Sequence, residues 1–573
     1  MQQELRLHLR RQRRALQTDN MQKNAVDNLR RRDNFKYVLV LEGVLIGLIT
    51  GALISVFRLM LTGADFLRGK VVEAIGTGAL AAVLAALGLI ILTLIITALL
   101  GAEPDIAGSG IPQVEAELKG QKDMRWYRVI LAKMTGCALA IGGGLALGRE
   151  GPSIQLGAMV GKGFARAGHR LLTEERLLVT CGAGAGLSAA FGAPLAGAIF
   201  TLEELHHNFS AEVLLSTMAS SIAADFVAAN VFGLTPVFGF GVEHGIPLSC
   251  YWAVVIVGIA VGFFGIIYNK TIAFMQNAFD RLGKGFAGIA GKVCGRSAFN
   301  LTDAHLNVFG LRASRAGKLL FVFAAAYIMM FFYPDALGSG SYLVGEISSG
   351  EFALGGLALL LIIKFLFSTA SFGSGSPGGI FLPLLVLGAV TGGLVSRLLG
   401  VFGFDQRYIT ALVVVAMAGY FSAIVRAPVT GVVLITEMTG DFTCLLPLVL
   451  SALIAYLIAE ASGTEPIYVQ LLHRSQNKQT QVRRNLSIRD RKTVIDADVH
   501  TGSYMDGRRV MDFGLPLGTL IVSVVRDGVE IIPDGHTILR GGDLLEILMR
   551  ERDINDVESI IEEKCKAVSE DKE

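Results

Sequence analysis

Hydrophobic positions crowd the middle of the chain and thin out toward both ends. Between Tyr37 and Ile458 apolar runs follow one another, among them Tyr37 to Leu61, Gly78 to Leu100, Val254 to Tyr268, Leu319 to Phe332, Leu354 to Leu366 and Leu412 to Tyr420. Such runs predict helices immersed in a bilayer, yet several fall short of the roughly 20 residues that a perpendicular span requires. Short segments interrupted by glycine predict helices that stop inside the membrane and turn their ends toward a solute. The 68 glycines fit both this and close helix approach, because each calls for a residue without a side chain.

Two stretches recur in the same order. Ala193-Pro194-Leu195-Ala196-Gly197, continuing to Glu203, matches Ala427-Pro428-Val429-Thr430-Gly431, continuing to Glu437, so the offset from 193 to 427 and from 203 to 437 is 234. Leu156-Gly157-Ala158-Met159-Val160-Gly161 matches Leu387-Gly388-Ala389-Val390-Thr391-Gly392 at an offset of 231. Nearly equal offsets argue for a duplicated unit. The expected organisation is a basic segment at 1–36, a first transmembrane half at 37–240, a second at 250–470, a polar linker at 471–490 and a tail at 491–573. In the tail, Thr519 to Val525 and Val529 to Ile532 flank Asp527-Gly528, which predicts a hairpin. Leu544 to Met549 predicts another strand, and Ile554 to Lys564 a charged helix.

Composition agrees with the pattern: 52% of residues are hydrophobic, 17% are charged and mean hydropathy is +0.55, too apolar for an ordinary soluble protein. The net charge of +2 hides an asymmetry. Arg6, Arg10, Arg11, Arg13, Arg14, Lys23, Arg30, Arg31 and Arg32 precede the first apolar run, which predicts a cytoplasmic N-terminus and argues against a nucleic-acid arm. Tyr37 to Leu61 is too long for a cleaved secretory signal and leads into further apolar segments. The six cysteines are far apart with no CxxC pair, so neither a disulfide framework nor a zinc site is expected.

Three glycine-rich motifs interrupt the apolar runs: Gly108-Ser109-Gly110-Ile111-Pro112, Gly148-Arg149-Glu150-Gly151-Pro152 and Gly378-Gly379-Ile380-Phe381-Leu382-Pro383. Each sets glycines before a proline suited to the first turn of a helix. A helix that begins inside hydrocarbon leaves its first N–H groups in need of a partner, and an anion can serve. Roughly half a positive charge at each N-terminus attracts an anion without holding it too tightly. Glu150, between apolar segments, costs about 2.5–3.5 kcal/mol to insert, so it needs a partner or a purpose. Beside an anion site it can take the anion's place when ionised and leave when protonated. An ion pair with Arg149 is the structural alternative, disfavoured because neighbouring residues on a helix do not face each other. Glu203-Glu204 closes another apolar run; with His206-His207 it lacks the HExxH spacing of a zinc helix. An interfacial cap and a proton acceptor at the water-facing mouth remain equally open there.

Together the GSGIP, GREGP and GGIFLP motifs resemble the CLC family of chloride channels and chloride/proton antiporters, over about residues 37 to 470. The resemblance implies an α-helical polytopic fold of two inverted halves with broken helices. It also implies a homodimer with one pore per subunit in the cell inner (plasma) membrane, no cofactor, and both termini cytoplasmic. By family pattern the Ser109 and Tyr468 hydroxyls and the Ile380 and Phe381 amides hold a central chloride, with Gly110 and Ile111 beside Ser109 in the same motif. Arg149 and Gly151 flank an outer site, Glu150 is the gate and external proton site, Glu204 the internal proton site, and Glu203 its supporting neighbour. An acidic residue at 204 favours proton-coupled exchange over a gated chloride channel, and serine at 109 goes with chloride rather than nitrate.

In place of paired CBS domains, the tail resembles the C-terminal half of an RCK (TrkA-C) domain, a small α+β module. This resemblance implies regulation and dimerisation, with cyclic di-AMP as the ligand expected near Arg509, Ile531, Ile532 and Pro533. A potassium transporter lacks support, as there is no TVGYG-type filter. Neither an HExxH helix nor a nucleophile elbow suggests an enzyme.

Overall fold

The computed structural model describes residues 2–76, 78–206, 211–239, 241–242, 244–293, 303–475, 492–515, 519–526, 529–550 and 554–565; most of the linker and the Asp527-Gly528 turn lie outside them. Two compact units result, 1–472 and 473–573.

In the first unit the leading half runs through α1 (Gln2–Ile75), α2 (Ala79–Ala102), α3 (Ile111–Leu118), α4 (Trp126–Gly142), α5 (Glu150–Ala167), α6 (Leu172–Phe191), α7 (Pro194–Phe200) and α8 (Ala211–Phe232). The second half repeats the order with α9 (Tyr251–Val293), α10 (Asp303–Phe332), α11 (Ser341–Ser348), α12 (Leu354–Gly373), α13 (Phe381–Val401), α14 (Ile409–Val425), α15 (Pro428–Thr439) and α16 (Leu445–Ala461). A further helix covers 467–475. Among the described residues, eight helices are long and apolar enough to cross a membrane. The short helices α3, α7, α11 and α15 are not, and they lie between longer ones. One apolar core joins both halves.

The repeated glycines have a packing reason. A Cβ on Gly157 would overlap the carbonyl of Gly182, and one on Gly161 that of Leu178, so α5 and α6 meet backbone to backbone. In the second half a Cβ on Gly388 would lie 2.9 Å from Met417 Cα, and one on Gly392 2.8 Å from the Leu412 carbonyl, so α13 meets α14 in the same way. Small residues let membrane helices approach where no hydrophobic drive separates lipid from protein. The α7/α15 repeat has a different reason. Each begins with a proline after an Ala N-cap and lies against the other.

The second unit carries a four-stranded antiparallel sheet in the order β1-β4-β2-β3, where β1 is Lys492–Asp498, β2 Leu520–Arg526, β3 Val529–Ile531 and β4 Leu544–Arg550. Arg526 pairs with Val529, which leaves a two-residue connection between the strands of the expected hairpin. Its own core gathers Val499, Met505, Phe513, Ile521, Val524, Leu545, Ile547 and Val557, the last from the helix Ile554–Cys565.

Candidate anion and proton site

Three helix starts meet where the glycine-rich motifs predict. The loop before α3 bends through left-handed Gly108 (φ +65°) and Gly110 (φ +100°), conformations that cost a side-chain-bearing residue about 1 kcal/mol or more. It is stitched to the loop before α13: Gly108 N–H donates to Ser376 O (3.2 Å) and Gly378 N–H to Gly108 O (3.0 Å). The loop before α5 joins the same strip, since Gly148 and Gly379 exchange N–H···O bonds of 2.7 and 2.8 Å. A Cβ on Gly151 would overlap Ser109 Oγ and lie 2.7 Å from Ser109 O, so the α5 start sits directly on the Ser109 hydroxyl.

Glu150 is fully buried at the head of α5, and its Oε2 accepts the Leu382 N–H of α13 at 3.3 Å. Its carboxylate thus rests on the positive end of a helix from the other half, a place suited to an anion. A Cβ on Gly148 would overlap Glu150 Oε2 and lie 3.1 Å from the Leu382 nitrogen, so a side chain there would displace the carboxylate. Among the described residues no ion pair joins Glu150 to Arg149; Arg149 caps α5 and its carbonyl accepts from Ser153 N–H and Oγ, both 2.9 Å. The Ser109 and Tyr468 hydroxyls are buried without a hydrogen-bond partner in the protein, an arrangement that asks for a polar solute. Gly110 and Ile111 are buried at the α3 start, and Ile380 caps α13 immediately before Phe381. Phe381 is flanked by Phe191 (5.5 Å between centroids) and Phe421 (4.7 Å).

Glu204 lies at a second place. Thr201–His206 winds as a π-helix rather than continuing α7, and Glu203 and Glu204, as consecutive residues of a helical turn, point in different directions. Glu204 is buried, with Glu115, Glu203 and Lys119 as its charged neighbours, and Lys119 Nζ is 2.7 Å from Glu115 Oε1. Tyr468 lies within the electrostatic reach of both Glu150 and Glu204. Glu203 instead turns to α15, where its Oε2 accepts the Thr430 N–H (2.8 Å) and hydroxyl (2.7 Å) and its Oε1 the Val429 N–H (3.3 Å).

Two lysines escaped the sequence reading. Lys133, fully buried in α4, donates to Ile106 O (2.9 Å) and Gly108 O (2.7 Å). Lys364, equally buried in α12, donates to Ala336 O (2.9 Å) and Gly338 O (3.0 Å). Their offset, from 133 to 364, is the 231 of the glycine motif. A search for charged residues at repeat-related positions in apolar runs would have found both.

In the tail, Arg509 is exposed, and its strand-like segment runs beside the loop that follows β3: Arg509 bridges Ile538 and Val510 N–H donates to Thr537 O at 2.9 Å. Ile531 ends β3, Ile532 is 86% exposed, and Pro533 opens that loop. Arg509 thus lies against the far end of the loop that Pro533 opens.

Broken helices meeting head-on from two related halves, around buried groups suited to an anion and a proton, define a membrane transporter rather than an enzyme. The comparisons with known proteins agree. Residues 87–460 match the voltage gated chloride channel family model, and residues 494–562 match the TrkA-C domain. The H(+)/Cl(-) exchange transporter ClcA of Vibrio vulnificus is 32% identical over 378 residues, 65% of this chain and 75% of that protein. The protein of the same name from Yersinia pseudotuberculosis is 31% identical over 473 residues, 79% and 91% of the two chains. The crystal structure of a slow cyanobacterial Cl-/H+ antiporter superposes with a TM-score of 0.68 at 27% identity, over 77% of this chain and 99% of that one. The chain belongs to the CLC family and carries a C-terminal TrkA-C domain.

Proposed function

We propose that the protein exchanges chloride for protons across the membrane, with Glu150 as gate and external proton site. The observation that carries this reading is the Glu150 carboxylate on the Leu382 amide, at the convergence of the α3, α5 and α13 starts. Ionised, it competes with chloride for those amides; protonated, it loses the attraction and gives way. The central chloride is held by the Ser109 and Tyr468 hydroxyls and the Ile380 and Phe381 amides, with Gly110 and Ile111 supporting the Ser109 turn. Arg149 and Gly151 line the outer position with their backbone. Glu204 is the internal proton site, reached past Glu115 and Lys119. The exchange activity named for the Vibrio, Yersinia and cyanobacterial relatives supports the antiport reading.

The wider assignments follow the family. The protein acts as a homodimer in the plasma membrane with both termini cytoplasmic. The TrkA-C domain adjusts turnover, with a cyclic dinucleotide such as cyclic di-AMP at Arg509, Ile531, Ile532 and Pro533.

Paired chloride and proton fluxes in liposomes test the proton roles. Glu150→Ala is expected to keep chloride permeation while losing both its pH dependence and proton movement. Glu204→Gln is expected to lose proton movement alone. PH-dependent exchange surviving in Glu150→Ala would refute the gate, and intact proton movement in Glu204→Gln would refute the internal site.

A further inference from the structure

The repeated Ala-Pro-x-x-Gly-x5-Glu motif acquires a meaning from the structure that its sequence did not carry. Glu203 of the first half caps α15 of the second through Val429 and Thr430. Reciprocally, Glu437 of α15 caps α7 of the first half: its Oε1 accepts the Leu195 N–H at 3.0 Å and its Oε2 the Ala196 N–H at 2.8 Å. Each carboxylate meets the positive end of the other's short helix, where charge-assisted bonds to orphan amides are strong. The two copies of one motif thus form a closed clasp between the halves. Glu204 lies inside it. The segment Pro194–His206 is held at its N-terminal end by Glu437 and near its C-terminal end by Glu203, and Glu204 follows Glu203 directly in the π turn.

We infer that Glu437 is a positioning residue for proton coupling, acting through Glu204. This inference rests on the reading of Glu204 as the internal proton site. Among the described residues the hydrogen bonds of Glu437 go to the first turn of α7, and the seven-residue helix carries that position on to the π turn. With the clasp open, α7 is free to shift against α15 and the Glu204 carboxyl loses its fixed place. The chloride path, built from α3, α5 and α13, keeps its own supports at Gly108, Gly148 and Gly379. Protons should therefore suffer before chloride does.

The test is the number of protons moved per chloride, taken from reversal potentials of the full-length protein in liposomes. Glu437→Ala is expected to lower proton movement relative to chloride by at least about tenfold, within the roughly hundredfold that a misplacement of about 1 Å can cost. Glu437→Gln keeps one acceptor and is expected to fall between wild type and Glu437→Ala. Thr430→Val, which removes only the hydroxyl donor to Glu203, gives a smaller loss in the same direction and remains available if Glu437→Ala does not assemble. In a Glu204→Gln background Glu437→Ala should leave the chloride rate where Glu204→Gln alone sets it. An unchanged ratio in Glu437→Gln and Thr430→Val, accompanied only by a lower unfolding temperature, would reduce the clasp to a structural brace and overturn the inference. Proton movement surviving in Glu204→Gln itself would instead overturn the underlying site.

Discussion

At the scale of single residues, atoms missing from a side chain matter as much as those present. Gly151 must be bare because any Cβ would run into Ser109 Oγ. Gly151→Ala is expected to displace the Ser109 hydroxyl and weaken chloride affinity by about tenfold, the cost of losing one well-placed donor of modest strength. Unaltered chloride affinity by calorimetry would place the anion elsewhere. Lys364 makes the opposite point. Replacing it with methionine leaves the carbonyls of Ala336 and Gly338 without their buried donor, at on the order of 2 kcal/mol or more. A clear fall in the thermal unfolding midpoint of Lys364→Met, matched by Lys133→Met, checks this. In the tail, Asp543 is buried, which opposes its charge, but two bonds from Arg526 and one from the Arg540 amide hold its carboxyl below the ordinary value. A depressed folded-state value gives stability above the unfolded value of about 3.9, lost as pH falls through the folded one. Asp543→Asn should therefore weaken β2 and β4 at neutral pH and flatten their acid dependence, read as hydrogen exchange in the full chain.

At the scale of elements, the sequence was legible wherever local chemistry decides the outcome. The three glycine-proline motifs mark helix starts because only glycine tolerates the turns at Gly108 and Gly110 and only an N-terminal turn accepts the proline. Strand β4 and the β2–β3 hairpin follow from alternation and a turn dipeptide. Strand β1 escaped notice, since Lys492-Thr493-Val494-Ile495-Asp496-Ala497-Asp498 sits beside a polar linker and pairs with β4, distant in sequence. The π turn at Thr201–His206 was equally hidden, because no composition rule distinguishes it from the end of an α-helix. The family resemblance implies Glu204 as the proton site and Glu203 as its supporting neighbour, and the structure gives each its own surroundings: Glu203 bonds to α15, while Glu204 lies among Glu115 and Lys119. The partner of Glu203 lies more than 200 residues away, so a repeat could announce two equivalent glutamates but not that each serves the other's helix.

At the scale of the whole molecule, two related halves each contribute helix starts that neither could close alone. The Gly108 loop needs Ser376 and Gly378, and Glu150 needs Leu382, so the site exists only when both halves are folded together. The tail is a unit with its own core. Removing residues 473–573 is expected to change the turnover rate and leave anion selectivity untouched, which flux assays with chloride and nitrate compare directly. A shift in selectivity on truncation would mean that the tail takes part in the pore. The decisive measurement remains the movement of protons by the unmodified protein in liposomes holding only a chloride gradient. Exchange predicts that protons are driven uphill until the two gradients balance at a fixed ratio; chloride dissipating with no proton movement would identify a channel and contradict the account.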